Sequence, residues 1–148
     1  MDTYTMEITC IAGEDIVLGM VVEADTPTAV TNFPVVQPAG LYTAEGRTGL
    51  VLGVAMMSVD AGDELTVRLW HAGSVSALVY VKDDPAPDAI AAGTPLYLTE
   101  DTDKHGYLTN EDVGGESPVG WALGNAEEGG DKDNSRIEVM IGRITLAV

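Results

Sequence analysis

Asp63-Glu64-Leu65-Thr66-Val67-Arg68-Leu69-Trp70 decides the fold. Leu65, Val67 and Leu69 alternate with Glu64, Thr66 and Arg68 at period two, which puts one face of an extended segment in a core and the other in water. Ser135 to Ile141 repeats the pattern, with Ile137, Val139 and Ile141 set against Arg136, Glu138 and Met140. Around these two segments, 17 glycines and 7 prolines divide the chain into short runs rich in Val, Ile, Leu and Tyr, the grammar of strands and turns. The same reading predicts strands at Glu7–Ala12, Gly19–Glu23, Gly49–Met57, Val75–Lys82, Thr94–Leu98, Tyr107–Thr109, Val119–Leu123 and Arg143–Val148. The best helical candidate, Asp88-Ala89-Ile90-Ala91-Ala92, is ended by Gly93 and Pro95 after little more than a turn. The expected fold is all-β, an antiparallel β-sandwich or barrel-like domain.

An internal echo refines that expectation. Gly53-Val54-Ala55-Met56 is followed by Ala61-Gly62-Asp63 and the alternating strand Leu65–Leu69; Gly120-Trp121-Ala122-Leu123 is followed by Gly129-Gly130-Asp131 and the alternating strand Ile137–Ile141. Ahead of each stands a further pair, Ile11-Ala12-Gly13-Glu14-Asp15 before Val17-Leu18, and Ile90-Ala91-Ala92-Gly93-Thr94 before Leu96-Tyr97-Leu98. The phrases predict a two-fold pseudo-repeat, two half-domains of like topology sharing one core. In the Ala-Gly-Asp phrase glycine supplies the positive φ of a tight turn into a strand. The whole of residues 1–148 reads as a single domain, with 24–46 an extended, proline-marked linker or arm.

Composition bounds the function classes. With 45% apolar residues and 21% charged ones the 148-residue chain belongs to the globular class. Its net charge of −17, from 24 acidic and 7 basic residues, repels phosphate backbones and anionic lipid, so neither nucleic acid nor membrane is an expected partner. No apolar run approaches the ~20 residues of a membrane helix, and Met1-Asp2-Thr3-Tyr4 lacks the basic and apolar regions of a signal peptide. Synthesis in the cytosol is therefore expected. Cys10, the single cysteine, lies among Ile8, Thr9 and Ile11 with no basic neighbour to depress its pKa, the setting of a buried, inert thiol.

The sharpest chemical motif is Asp101-Thr102-Asp103-Lys104-His105-Gly106-Tyr107-Leu108-Thr109-Asn110-Glu111-Asp112. Asp101, Asp103 and Asp112 stand at ligand positions of a twelve-residue calcium loop with glycine at position six. Two departures count against it: His105 sits where Asp or Asn is wanted, and Asp112 replaces the longer glutamate. A hairpin with a polar tip at His105-Gly106 is the simpler account, and no metal or other cofactor is favoured. His71 and His105 have no second ligand at zinc spacing. Ser74 and Ser76 near His71 read as outward hydroxyls of a strand, and Asp83-Asp84 and Glu127-Glu128 as solvated turn charge without the desolvation that glycoside hydrolysis requires of its acid. Trp70 and Trp121 fall in the echoed segments and read as core. With no phosphate loop and no Gly-x-Ser-x-Gly elbow either, no catalytic residue is assigned and a non-enzymatic protein is expected. In the linker, Val30-Thr31-Asn32-Phe33-Pro34-Val35-Val36 carries apolar side chains on an extended segment, so Phe33, Pro34, Val35 and Val36 are the expected interface with a neighbouring protein.

The phrases Ala12-Gly13-Glu14-Asp15, Gly19-Met20-Val21-Val22, Gly53-Val54-Ala55, Ala61-Gly62-Asp63-Glu64-Leu65-Thr66-Val67, Ala92-Gly93-Thr94-Pro95-Leu96-Tyr97 and Gly120-Trp121-Ala122-Leu123 are turn-strand phrases of moderate specificity spread along most of the chain. Together they resemble the small head-decoration (cement) proteins of tailed bacteriophages and their prophage homologues. The resemblance implies a structural virion protein on the capsid exterior that cross-links subunits of the major capsid protein, and a homo-oligomer, a trimer in many relatives. It carries over no catalytic residues. The rival expectations are another virion or tail component with the same architecture, and a sugar-binding β-module that is calcium-dependent through Asp101–Asp112.

Overall fold

The computed structural model describes residues 6–25, 32–42, 46–69, 74–81, 89–112, 117–127 and 135–141. Twelve strands follow one another: β1 (Glu7–Ala12), β2 (Val21–Ala24), β3 (Val35–Pro38), β4 (Val51–Ala55), β5 (Glu64–Leu69), β6 (Ser74–Tyr80), β7 (Ala89–Ile90), β8 (Pro95–Leu98), β9 (Leu108–Thr109), β10 (Gly120–Ala122), β11 (Ala126–Glu127) and β12 (Ser135–Ile141). A 3-10 turn at Thr102–Lys104 is the sole helical element among the described residues. The strands form two closed barrels, β1-β3-β2-β4-β5 and β10-β12-β6-β9-β8, and a two-stranded sheet of β7 with β11. The all-β class and the repeat are therefore as expected, in barrel form.

Alternation works as the sequence pattern requires. Leu65 and Val67 of β5 are buried beneath exposed Glu64, and Ile137 and Val139 of β12 beneath exposed Arg136, Glu138 and Met140. Fully burying one such side chain contributes ~1.5–3 kcal/mol. One core fills the first barrel with Cys10, Ala12, Ile16, Val22, Val36, Ala55, Leu65 and Val67. The larger core fills the second barrel and continues into the first through Val21, Ala39, Leu41 and Val54. The expected single core is thus two cores, because each barrel closes on itself.

The pairing registers superpose the halves strand for strand. Gly53, paired with Val22 and Leu69, matches Gly120, paired with Leu96 and Ile141. Cys10 opposite Leu65 matches Ala77 opposite Ile137. Both barrels close with a parallel pair, Ala12 beside Val36 in β1·β3 and Val79 beside Leu108 in β6·β9, so the sheets are mixed where a purely antiparallel arrangement is expected. The echo around Gly93 is shifted from its sequence reading. Gly93 corresponds to Gly19, not Gly13: Gly19 N–H donates to the Ala55 carbonyl and Gly93 N–H to that of Ala122, with φ values of 91° and 94°. The left-handed turn into the strand, and not the preceding Ile-Ala phrase, is what the halves share.

Ala89 and Ile90 form β7, a strand outside the expected set, with Ile90 fully buried and paired to Ala126; as expected, Gly93 and Pro95 leave too short a run to nucleate a helix. One further expectation is corrected. The part of the 24–46 linker that is described contains β3, which sits in the sheet between β1 and β2. The expected strand at Arg143–Val148, and Trp70, lie outside the described residues.

A Cβ added at Gly53 would collide with the Arg68 backbone carbonyl of β5. Backbone cannot yield as a flexible side chain does, so Gly53→Ala is expected to lower the unfolding free energy by about 1–3 kcal/mol, read from its denaturant midpoint.

Candidate functional site

Main-chain hydrogen bonds sew the barrels together along one seam. Leu78 N–H donates to the Gly19 carbonyl at 2.9 Å, Val21 N–H to Gly106 at 2.8 Å, Gly106 N–H to Ala39 at 2.7 Å and Leu41 N–H to Thr99 at 2.9 Å. Gly106 has φ +91°, and a Cβ there would press into Met20, so conformation and space both demand glycine.

Beside the seam lies Glu23, fully buried in β2. One carboxylate oxygen accepts from Gln37 Nε2 (3.0 Å), Thr48 N–H (2.7 Å) and Thr48 Oγ1 (3.1 Å); the other accepts from the N–H groups of Gly40 (3.0 Å) and Gly49 (3.3 Å). A buried carboxylate must be matched by donors in this way. The result is a fixed loop, in which Gln37 also donates to the Gly46 carbonyl at 2.8 Å.

That loop presents Arg47. Its guanidinium grips Glu14 through two bonds of 2.6 and 3.1 Å and donates from Nε to His105 Nδ1 at 2.8 Å. Since Nδ1 accepts, the proton of the neutral imidazole sits on Nε2, which is buried with no hydrogen-bond partner among the described residues. Burial foremost, then the charge of Arg47, hold His105 below its ordinary pKa of 6.5 against the opposing pull of Glu14, Glu23 and Asp101.

His105-Gly106 is thus no exposed tip of a hairpin: it is the part of the β8–β9 connection that docks into the first barrel. The rest of that connection is ordered by aromatic contacts. Tyr80 O–H pairs with Thr99 Oγ1 at 2.7 Å and donates to Asp101 Oδ2 at 3.0 Å, while Lys104 Nζ lies 5.8 and 5.2 Å from the ring centres of Tyr80 and Tyr107. The structure does not gather Asp101, Asp103 and Asp112 into a cation cage; among the described residues no three His, Cys, Asp or Glu side chains are placed to hold a metal. Asp101 is engaged by Tyr80 instead.

The expected interface divides. Phe33 and Pro34 are exposed, whereas Val35 and Val36 of β3 are buried, Val36 in the core of the first barrel, and present little surface to a neighbour. Flanking prolines made a buried strand resemble an arm. Cys10 is fully buried and desolvation raises its thiol pKa. Ser74 and Ser76 point outward from β6, while His71, Asp83, Asp84 and Glu128, and the side chain of Glu127, lie outside what is described. Glu23 and Arg47 escaped the sequence reading, and His105 entered it only as a polar hairpin tip. The available signal was an acid inside the apolar run Val21-Val22-Glu23-Ala24.

An apolar groove of about 340 Å³ opens where the halves meet, lined by Leu41, Tyr42 and Leu50 from the first and Tyr97, Leu98 and Val119 from the second. Tyr42 and Leu50 are 64% and 69% exposed.

Fold and seam define a class: an all-β protein of two equivalent five-stranded barrels joined through their main chains. Among solved structures the chain is similar to the head fiber gp8.5 N base of bacteriophage phi29, over 98% of this chain and 100% of that one, with a TM-score of 0.64 and 16% sequence identity. At that identity the likeness is one of fold. No protein-family model matches the chain, and no curated protein does.

Replacing Glu23 by Leu strands several buried donors at roughly 1–3 kcal/mol each, and Glu23→Leu is expected to lower stability by about 3–5 kcal/mol in chemical denaturation. A second prediction concerns acid. Because the folded state holds the His105 pKa below the unfolded value, the unfolded chain binds more protons between the two. The His105 contribution is fully present above 6.5 and is lost as pH falls through its lowered folded value. Denaturation midpoints measured from about pH 7 to about pH 5 should fall less steeply in His105→Gln, whose amide oxygen still accepts from Arg47.

Proposed function

We propose that this chain is a structural virion component of a tailed phage, seated on the outside of the capsid, where it binds major capsid subunits and stabilises the shell by cross-linking them. The observation that carries the reading is the end-to-end correspondence of both barrels with the phi29 head-fiber base. It agrees with the phage-decoration resemblance of the turn-strand phrases. The role requires no catalysis: a rigid β-unit repeated over a shell acts through contact area and avidity. Phe33 and Pro34, and the groove around Tyr42 and Leu50, offer exposed apolar surface for such contacts. The chain's net charge of −17 discourages particles from adhering to one another. Association of copies, with a trimer favoured, belongs to the same proposal.

The test mixes purified chain with expanded, undecorated capsids of the phage that encodes it. Co-sedimentation and a raised capsid disruption temperature are expected. Chain that stays in the supernatant at every concentration tried would overturn the reading.

A further inference from the structure

Three of the four bonds that join the barrels have counterparts among the described residues at the two free ends of the unit, and those three are disabled. Along the seam the first barrel supplies the Val21 N–H and the carbonyls of Gly19 and Ala39, and the second answers with the Gly106 peptide and the Leu78 N–H. The registers map these groups onto the opposite half. Val21, opposite Val54, corresponds to Pro95, opposite Trp121. Gly106, two residues before Leu108, corresponds to Pro34, two residues before Val36. Leu78, which follows Ala77 opposite Ile137, corresponds to Ile11, which follows Cys10 opposite Leu65.

At the second barrel's free end, then, Pro95 has no N–H to give. At the first barrel's free end, Pro34 has none either. The Ile11 N–H is committed within its own barrel to the Pro34 carbonyl at 2.8 Å, which removes a third donor while leaving that carbonyl its second lone pair. Pro34 is exposed and Pro95 half-buried, so filling a core does not account for the proline at either place.

We infer that Pro34 and Pro95 are caps that stop the barrel-to-barrel seam from repeating between copies of this chain. The seam joins unlike faces, and a head-to-tail contact of that kind, left open, runs on into rings or filaments. A duplicated barrel carries both faces at its ends. Proline removes the donors such pairing needs without disturbing the strand that follows it. Contacts between copies are therefore made by other surfaces, and the two-barrel unit is the limit of main-chain pairing.

The double variant Pro34→Gly, Pro95→Val restores the missing N–H groups. In sedimentation equilibrium over one concentration series, its weight-average mass is expected to rise to at least about twofold that of the unsubstituted chain, with near-UV circular dichroism unchanged. Equal masses with an intact spectrum overturn the inference. Should the double variant misfold, a second measurement on the otherwise unsubstituted chain decides. Proteins carrying Asn32→Cys and Thr94→Cys are mixed under mild oxidation. No disulfide between the two is expected; an Asn32→Cys to Thr94→Cys dimer would place the capped faces together and overturn the inference.

Discussion

The Gly106 peptide makes the two barrels one body. Its N–H reaches the Ala39 carbonyl and its carbonyl takes the Val21 N–H, so a single residue, through the peptide groups on either side of it, meets the backbone of both β2 and the segment after β3. A net hydrogen bond contributes only ~0.5–1.5 kcal/mol, but a buried group left unmade costs about 1–3. The surrounding residues act to keep that peptide in place. Glu23 gathers the loop of Gly46 to Gly49, the loop aims Arg47, and Arg47 ties Glu14 of one half to His105 of the other. Losing the carboxylate would release the whole sequence of contacts, though its own partners all lie in the first half.

Two halves of like topology show where the copies are alike and where they differ. Inside the barrels the substitutions are small: Val22 for Leu96, Leu65 for Ile137, Cys10 for Ala77. Glu23 opposite Gln37 corresponds to Tyr97 opposite Thr109. The buried acid that orders a loop in one half is thus an aromatic that lines the groove in the other. The position that serves internal order in one copy thus contributes a half-buried groove wall in the second, while Thr109, the counterpart of Gln37, stays fully buried.

How much of this was legible follows the physics of each segment. Strands with one wet face, β5 and β12, announce themselves by alternation, and the Gly53 and Gly120 phrases, which hold equivalent register positions, reveal the repeat; at Gly53 the β5 backbone leaves no room for a side chain. β3 was hidden: Val35, Val36, Gln37 and Pro38 are all buried, so no alternation marks them, and neighbouring prolines suggest an arm. The seam was illegible for a different reason. Glu23, Arg47 and His105 are far apart in sequence, and nothing links them until the closed barrels bring their loops together. His105-Gly106 illustrates the limit, since a polar dipeptide between strands has the appearance of an exposed tip whether it meets water or another sheet.

The division of the cores sets an order of events during synthesis. Every strand of the first barrel lies within residues 7–69 and every strand of the second within 74–141, so the first can close while the second is still being made. Its core of Cys10, Ile16, Val36, Leu65 and Val67 draws on nothing downstream. The second core does not stand alone in the same way: Val21, Ala39, Leu41 and Val54 are part of it. The emerging C-terminal half therefore condenses against a finished surface, with the N-terminal barrel acting as its template, and the slow search for long-range strand partners is confined to one half at a time.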